Sequence, residues 1–188
     1  IPGYRNGVVN TLRLWSAAAI EEFDLDEFNA GDFTEAVAAR HEAGTITSVL
    51  YPNDANERGV ELRLRQQYFL SAASLGDCFR AWRDAHGTDM DGFAGAHCFQ
   101  LNDTHPAIAV AELMRLLLDE VGLDWDAAWQ ITSRSMAYTN HTLLPEALES
   151  WPVPLFDRLL PRLLEIIYEI NARFLPEVAR RWPGDVER

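Results

Sequence analysis

The sequence predicts a helix-rich α/β fold, and three features carry that expectation. Short apolar runs that end in polar clusters alternate with longer stretches whose apolar residues recur every three or four positions. Two of the short runs, residues 97–101 and 135–138, each precede a proline placed where a helix can start. The chain has 188 residues, 48% hydrophobic and 24% charged, which suits one domain with its own core rather than a disordered tail.

Taken in order, residues 8–15 (VVNTLRLW) alternate apolar and polar side chains and read as a strand. Asp32 is placed to cap a helix from 33 to about 43, which Gly44 would close. Pro52-Asn53-Asp54 signals a turn. A long helix follows from 61 to about 85, with Leu62, Leu64, Tyr68, Phe69, Ala72, Leu75, Phe79 and Trp82 on its apolar face. Residues 87–95 read as a polar loop, and 97–101 as a strand running into Asn102-Asp103-Thr104-His105. The helix that Pro106 opens should end at Gly122, and Asp124 should cap the next one, to about 134. The strand 135–138 runs into Thr139-Asn140-His141-Thr142, and 154–182 is helical with breaks near Pro161 and Pro176. Without a repeat or a convincing linker, residues 1–188 read as one partial domain, whose short parallel strands belong to a sheet completed elsewhere.

The net charge of −13 repels phosphate backbones and anionic lipid, which argues against nucleic-acid or membrane partners. All 16 basic residues are arginines. Guanidinium stays protonated and cannot form a Schiff base, so no internal lysine aldimine can form within this chain. Cys78 and Cys98 are too few for a disulfide framework and read as buried free thiols. No run approaches the roughly 18 apolar residues of a membrane span, and a cytoplasmic location is expected. The start at Ile1 carries neither an initiator Met nor a signal peptide pattern, which reads as a piece that begins mid-protein.

Candidate chemistry gathers at the two polar clusters. In open α/β sheets ligands bind at the carboxyl ends of the strands, so Asp103, His105, Asn140, His141 and Thr142 are expected on one rim. An Asp accepting from an imidazole fixes its tautomer, and Asn and Thr offer the mixed donors and acceptors that sugar hydroxyls need. Local pattern alone also allows Asp103 and Thr104 to be ordinary helix caps. A metal site built from Asp103, His105, His141 and Glu146 has suitable ligand types, but its spacing matches no strong signature, and no metal is expected.

These segments carry a resemblance. VNTLRLWSA (9–17), LYPND (50–54), ELRLRQQYF (61–69), QLNDTHP (100–106), LDWDAAW (123–129), YTNHTLLPEALE (138–149), LLPR (159–162), IIYEIN (166–171) and WPGD (182–185) stand in order along the whole chain. The sequence resembles the α-glucan (glycogen, starch or maltodextrin) phosphorylases, as an internal fragment of the later part of their N-terminal domain. The resemblance implies a Rossmann-like domain of a GT-B glycosyltransferase. It implies cleavage of α-1,4-glucan ends by phosphate to give glucose 1-phosphate, with pyridoxal phosphate on a lysine of a C-terminal domain absent from this chain. It further implies His141 at the glucosyl unit, Asp103 orienting it, and Asp54 on a loop that gates the cleft. Asn140, Thr142, Glu149 and His105 would line the substrate side. A dimer-forming helix would match 33–47, and a homo-oligomer is expected.

Some positions depart from the resemblance. Ala55 follows Asp54 where animal enzymes carry Asn, so one sugar-contacting side chain is missing. Ala81 beside Arg80 breaks an arginine pair used for nucleotide activation, so AMP activation is not expected. Ser150 and Leu163 replace a usual Arg and a usual His, without a functional reading. Lacking the cofactor half, the chain is expected to be inactive alone. The competing expectation is a non-catalytic, self-associating scaffold derived from such an enzyme. The length of the encoding reading frame separates the two.

Overall fold

A computed structural model describes residues 1–145 and 148–184. They divide into two compact units, 1–70 and 71–188, with the boundary inside one long helix.

In the first unit, Asp24 caps α1 (Leu25–Ala30) through the N–H groups of Asp26 and Glu27, and Gly31 ends it in the left-handed region. Phe28 sits between Phe23 and Phe33, with ring centroids 5.3 and 4.9 Å away. A single 3₁₀ turn, Glu35–Val37, leads into α2 (Ala38–Ser48). Asp32 does cap here, its Oδ1 accepting from Glu35 N–H at 3.0 Å. Gly44 does not close α2 but lies inside it, because it holds a helical rather than a positive φ. Residues 8–15 are not a strand: apart from one bridge, Pro2 to Val9, no strand ladder among the described residues includes them. An alternating pattern makes a strand only where another chain segment completes the ladder.

The long helix α3 (Glu57–His86) starts four residues before the expected 61. Asn56 accounts for this: its Oδ1 accepts from Gly59 N–H and its carbonyl from Val60 N–H, an N-cap before the apolar periodicity begins. Along the expected apolar face, Leu64, Leu75 and Phe79 are buried.

In the second unit, the loop expected over 87–95 holds a short helix, α4 (Phe93–Ala96), entered through Gly92 at φ 85°. Phe93 is fully buried in an aromatic cluster with Phe79, Trp82, His97 and Phe99. Strand β1 (Phe99–Asn102) begins two residues later than expected, which leaves Cys98 exposed and outside the strand. Cys78 is half-buried, so neither free thiol is the core residue expected.

Helix α5 (Ile108–Arg115) continues as one wide π turn, Leu116–Val121, which Gly122 ends at φ 81°. Asp124 caps α6 (Trp125–Ser135) through Ala127 N–H at 2.9 Å. Strand β2 (Met136–Thr139) then pairs parallel to β1, Phe99 opposite Met136 and Asn102 opposite Thr139. The crossover through α5 and α6 is the connection a parallel pair requires.

The last two helices are α7 (Val153–Leu159) and α8 (Pro161–Arg181). The chain breaks at Leu160, before Pro161, but α8 runs unbroken through Pro176. The carbonyl that Pro176 leaves without a helical donor belongs to Ala172, on an exposed stretch where water can take it. Helix α5 packs against α6 and α8, burying Leu113, Met114, Leu117, Leu163 and Ile166. Arg162 clamps α8 to the π turn with two bonds to the Asp119 carboxylate, 2.9 and 2.7 Å. No helix among the described residues is long and apolar enough to cross a membrane.

Candidate functional site

The two polar clusters do meet. Beyond Asn102 the β1 ladder continues by one bond, Asp103 N–H donating to Thr139 C=O at 2.8 Å. Asp103 makes that bond at φ 63°, a left-handed conformation that Asp tolerates better than most residues because its short polar side chain bonds locally. Its carboxylate is thereby turned to the segment after β2, where Oδ1 accepts the main-chain N–H of His141 at 3.3 Å. Asp103 therefore grips His141 by the backbone, whereas the pattern suggested a bond to the ring. The imidazole itself lies on an exposed residue.

The rest of the rim is braced in the same way. Gln100 Nε2 donates to Thr139 Oγ1 at 2.9 Å, across the strand pair. Asn140 folds its amide back on the chain, Nδ2 donating to Thr142 C=O at 2.7 Å and Oδ1 accepting from Thr142 N–H at 3.3 Å. Thr104 Oγ1 accepts the main-chain N–H of Glu149 at 3.1 Å, which draws Glu149 onto the turn that follows β1. One turn, 103–104, thus positions His141 and Glu149 together through their main chains. Thr142, Glu149 and His105 are half-buried, and His105 lies in the turn before α5.

Asp54 belongs to the first unit, where its Oδ2 pairs with Arg63 Nη1 at 2.7 Å. Among the described residues no group of three or more His, Cys, Asp and Glu is placed to hold a metal. Glu146, named above as a metal candidate, and Asp185 of the WPGD block lie outside the described residues. With no lysine, the chain offers no amine for an internal aldimine, so pyridoxal phosphate does not fit it as a covalent group. Sequence reasoning missed a groove of about 190 Å³ between α6 and α8, lined by Trp125, Trp129, Ile170, Arg173, Phe174 and Glu177. The guanidinium of Arg173 stands 4.8 Å over the Trp125 ring. The two tryptophans lie one helical turn apart, a spacing that could have signalled a shared face.

The described residues thus form a helix-rich α/β protein with a small parallel strand pair, and Asp103, Asn140, His141 and Thr142 follow the carboxyl ends of those strands. The family model for Phosphorylase, carbohydrate phosphorylase, matches residues 1–188, and the chain belongs to that family. It is 55% identical, over its whole length, to the muscle form of glycogen phosphorylase from Homo sapiens and from Oryctolagus cuniculus. It is 54% identical to the human brain form. The chain spans about a quarter of these relatives, 23% of the length of each.

Proposed function

We propose that this segment forms the glucan-side wall of the catalytic cleft of an α-glucan phosphorylase, which splits an α-1,4-glucan end with orthophosphate to release glucose 1-phosphate. The observation that carries this reading is the double grip of Asp103, on Thr139 C=O and on His141 N–H. It fixes the Asn140–His141 peptide at the strand ends where α/β proteins bind ligands, and the bond from Thr142 N–H to Asn140 Oδ1 holds the next peptide, which carries the His141 carbonyl. A carbonyl oxygen held beside a glucosyl ring can support positive charge that develops as the glycosidic bond breaks. His141 would contact that sugar. Thr142, Glu149 and His105 would line the substrate side, Asn140 would brace the loop, and Asp54 would stand on the gate over the cleft. Asp103 acts through His141 as a positioning residue.

The full cleft requires a second half. In this reading pyridoxal phosphate is held by a lysine of a domain outside this chain, and the two together make a GT-B enzyme of the cytoplasm that works as a homo-oligomer. The chain alone should release no glucose 1-phosphate, because positioning and charge stabilisation come from both walls.

The test is His141→Ala in the full-length protein. Since His141 is exposed, the melting temperature should stay within about 2 °C, in line with surface substitutions of roughly half a kcal/mol. The phosphorolysis rate at saturating glucan and phosphate should fall at least about a hundredfold, the scale of one lost electrostatic contact. A variant that keeps its rate but loses stability would overturn the assignment.

A further inference from the structure

The bend between α2 and α3, residues 51–56, rests on the first turn of α3 at a position without a side chain. A Cβ placed on Gly59 would overlap the Asn53 carbonyl oxygen and stand 3.0 Å from Asp54 Cα. Gly59 is itself buried. The absence of a side chain there lets the main chain of Asn53 and Asp54 lie directly on the helix. Two contacts hold the bend, and one conformation strains it. Arg63, one helical turn beyond Gly59, bonds the Asp54 carboxylate at 2.7 Å. Asn53 Oδ1 accepts from Ala55 N–H at 2.9 Å, and Tyr51 enters the bend at φ 57°, a strained conformation for a non-glycine residue.

We propose that Gly59 and Arg63 are positioning residues, a backbone seat and a side-chain tether that together set where the Asp54 carboxylate stands. The seat excludes any larger residue at 59, and the tether aims the carboxylate along α3. The entry strain at Tyr51 opposes both, so the bend opens when either is removed. The seat and tether are properties of the fold. Their bearing on catalysis rests on the phosphorylase reading, in which Asp54 belongs to the gate over the cleft.

Hydrogen–deuterium exchange on the full-length protein tests the seat without reference to activity. Gly59→Ala favours helix at 59 yet evicts the bend, so α3 should persist. Exchange across 52–56 should quicken about tenfold, the scale expected of overpacking by one methyl group, while residues 74–86 stay unchanged. Arg63→Ala should quicken the same segment by a smaller factor, and Arg63→Lys, which keeps the charge, should restore part of the protection. Unchanged exchange over 52–56 in both Gly59→Ala and Arg63→Ala would overturn the proposal.

Activity is read separately, as phosphorolysis by Asp54→Ala and Gly59→Ala. If both lose rate, the seat serves the reaction. If Asp54→Ala keeps full rate, the gate reading fails, while the exchange result still decides the seat. If Asp54→Ala loses rate and a Gly59→Ala protein with faster exchange does not, Gly59 has no positioning role in the reaction.

Discussion

At the scale of single residues, Asp103 links conformation to site. Its φ of 63° disfavours most side chains, and its carboxylate accepts from His141 N–H. Asn keeps both the tolerance for the left-handed region and an acceptor oxygen, so Asp103→Asn should cost only a few tenths of a kcal/mol. Alanine keeps neither and should cost about 2 kcal/mol. Urea midpoints of the two variants check this, and equal losses would show that backbone strain contributes nothing here. The residue types at the rim were legible in the sequence, because QLNDTHP and YTNHT stand after short strands and before prolines. The bonding partner was not. A pattern shows that Asp and His are near each other, but whether the carboxylate meets a ring or a main-chain N–H depends on φ of the Asp itself.

At the scale of elements, the helices with strong apolar periodicity and a polar cap were readable: α3, α5 and α6 lie close to where they were expected. Of the readings that relied on one punctuating residue, those at Gly122 and Pro161 held and two others failed. Gly44 and Pro176 both sit inside helices, where an exposed turn of α8 tolerates the missing hydrogen bond. The π turn left no mark in the sequence, and it carries an ion pair that sequence reasoning did not foresee. Arg162 holds the Asp119 carboxyl below its usual range, chiefly by hydrogen bonding. A carboxyl with a depressed folded-state pKa stabilises the fold above its unfolded value, about 4, and loses that contribution as pH falls further. Both side chains are over a third exposed, so the pair should contribute no more than about 1 kcal/mol. Asp119→Asn should therefore melt below the parent at pH 7, and the gap should close in acid and narrow in high salt. A gap independent of pH would point to packing instead.

At the scale of the whole molecule, the balance of buried and open surface bears on association. In α7 and α8 Phe156 and Leu163 are buried, but Tyr168, Phe174 and Leu175 are each more than half open. Leu14, Ile20, Phe33 and Leu143 are likewise each more than half open. Large apolar side chains left open to water favour association that covers them. The isolated 188-residue chain should therefore scatter light as an oligomer, and a mass near 21.3 kDa at all concentrations would contradict this.

The parallel pairing of β1 and β2 also sets an order of events in time. Each bonded pair lies 37 residues apart along the chain, as Phe99 and Met136 do, whereas α5 and α6 are built from bonds that span one turn. Closing that long loop costs entropy before any ladder bond is returned, so the helices gain their structure first and the strand ends last. The candidate site then lies among the latest contacts to form. Asp103→Ala should leave the refolding rate of this unit nearly unchanged and speed its unfolding by almost the full loss of stability. A site assembled in that order is also the first part released when the domain begins to open, well before its helical core gives way.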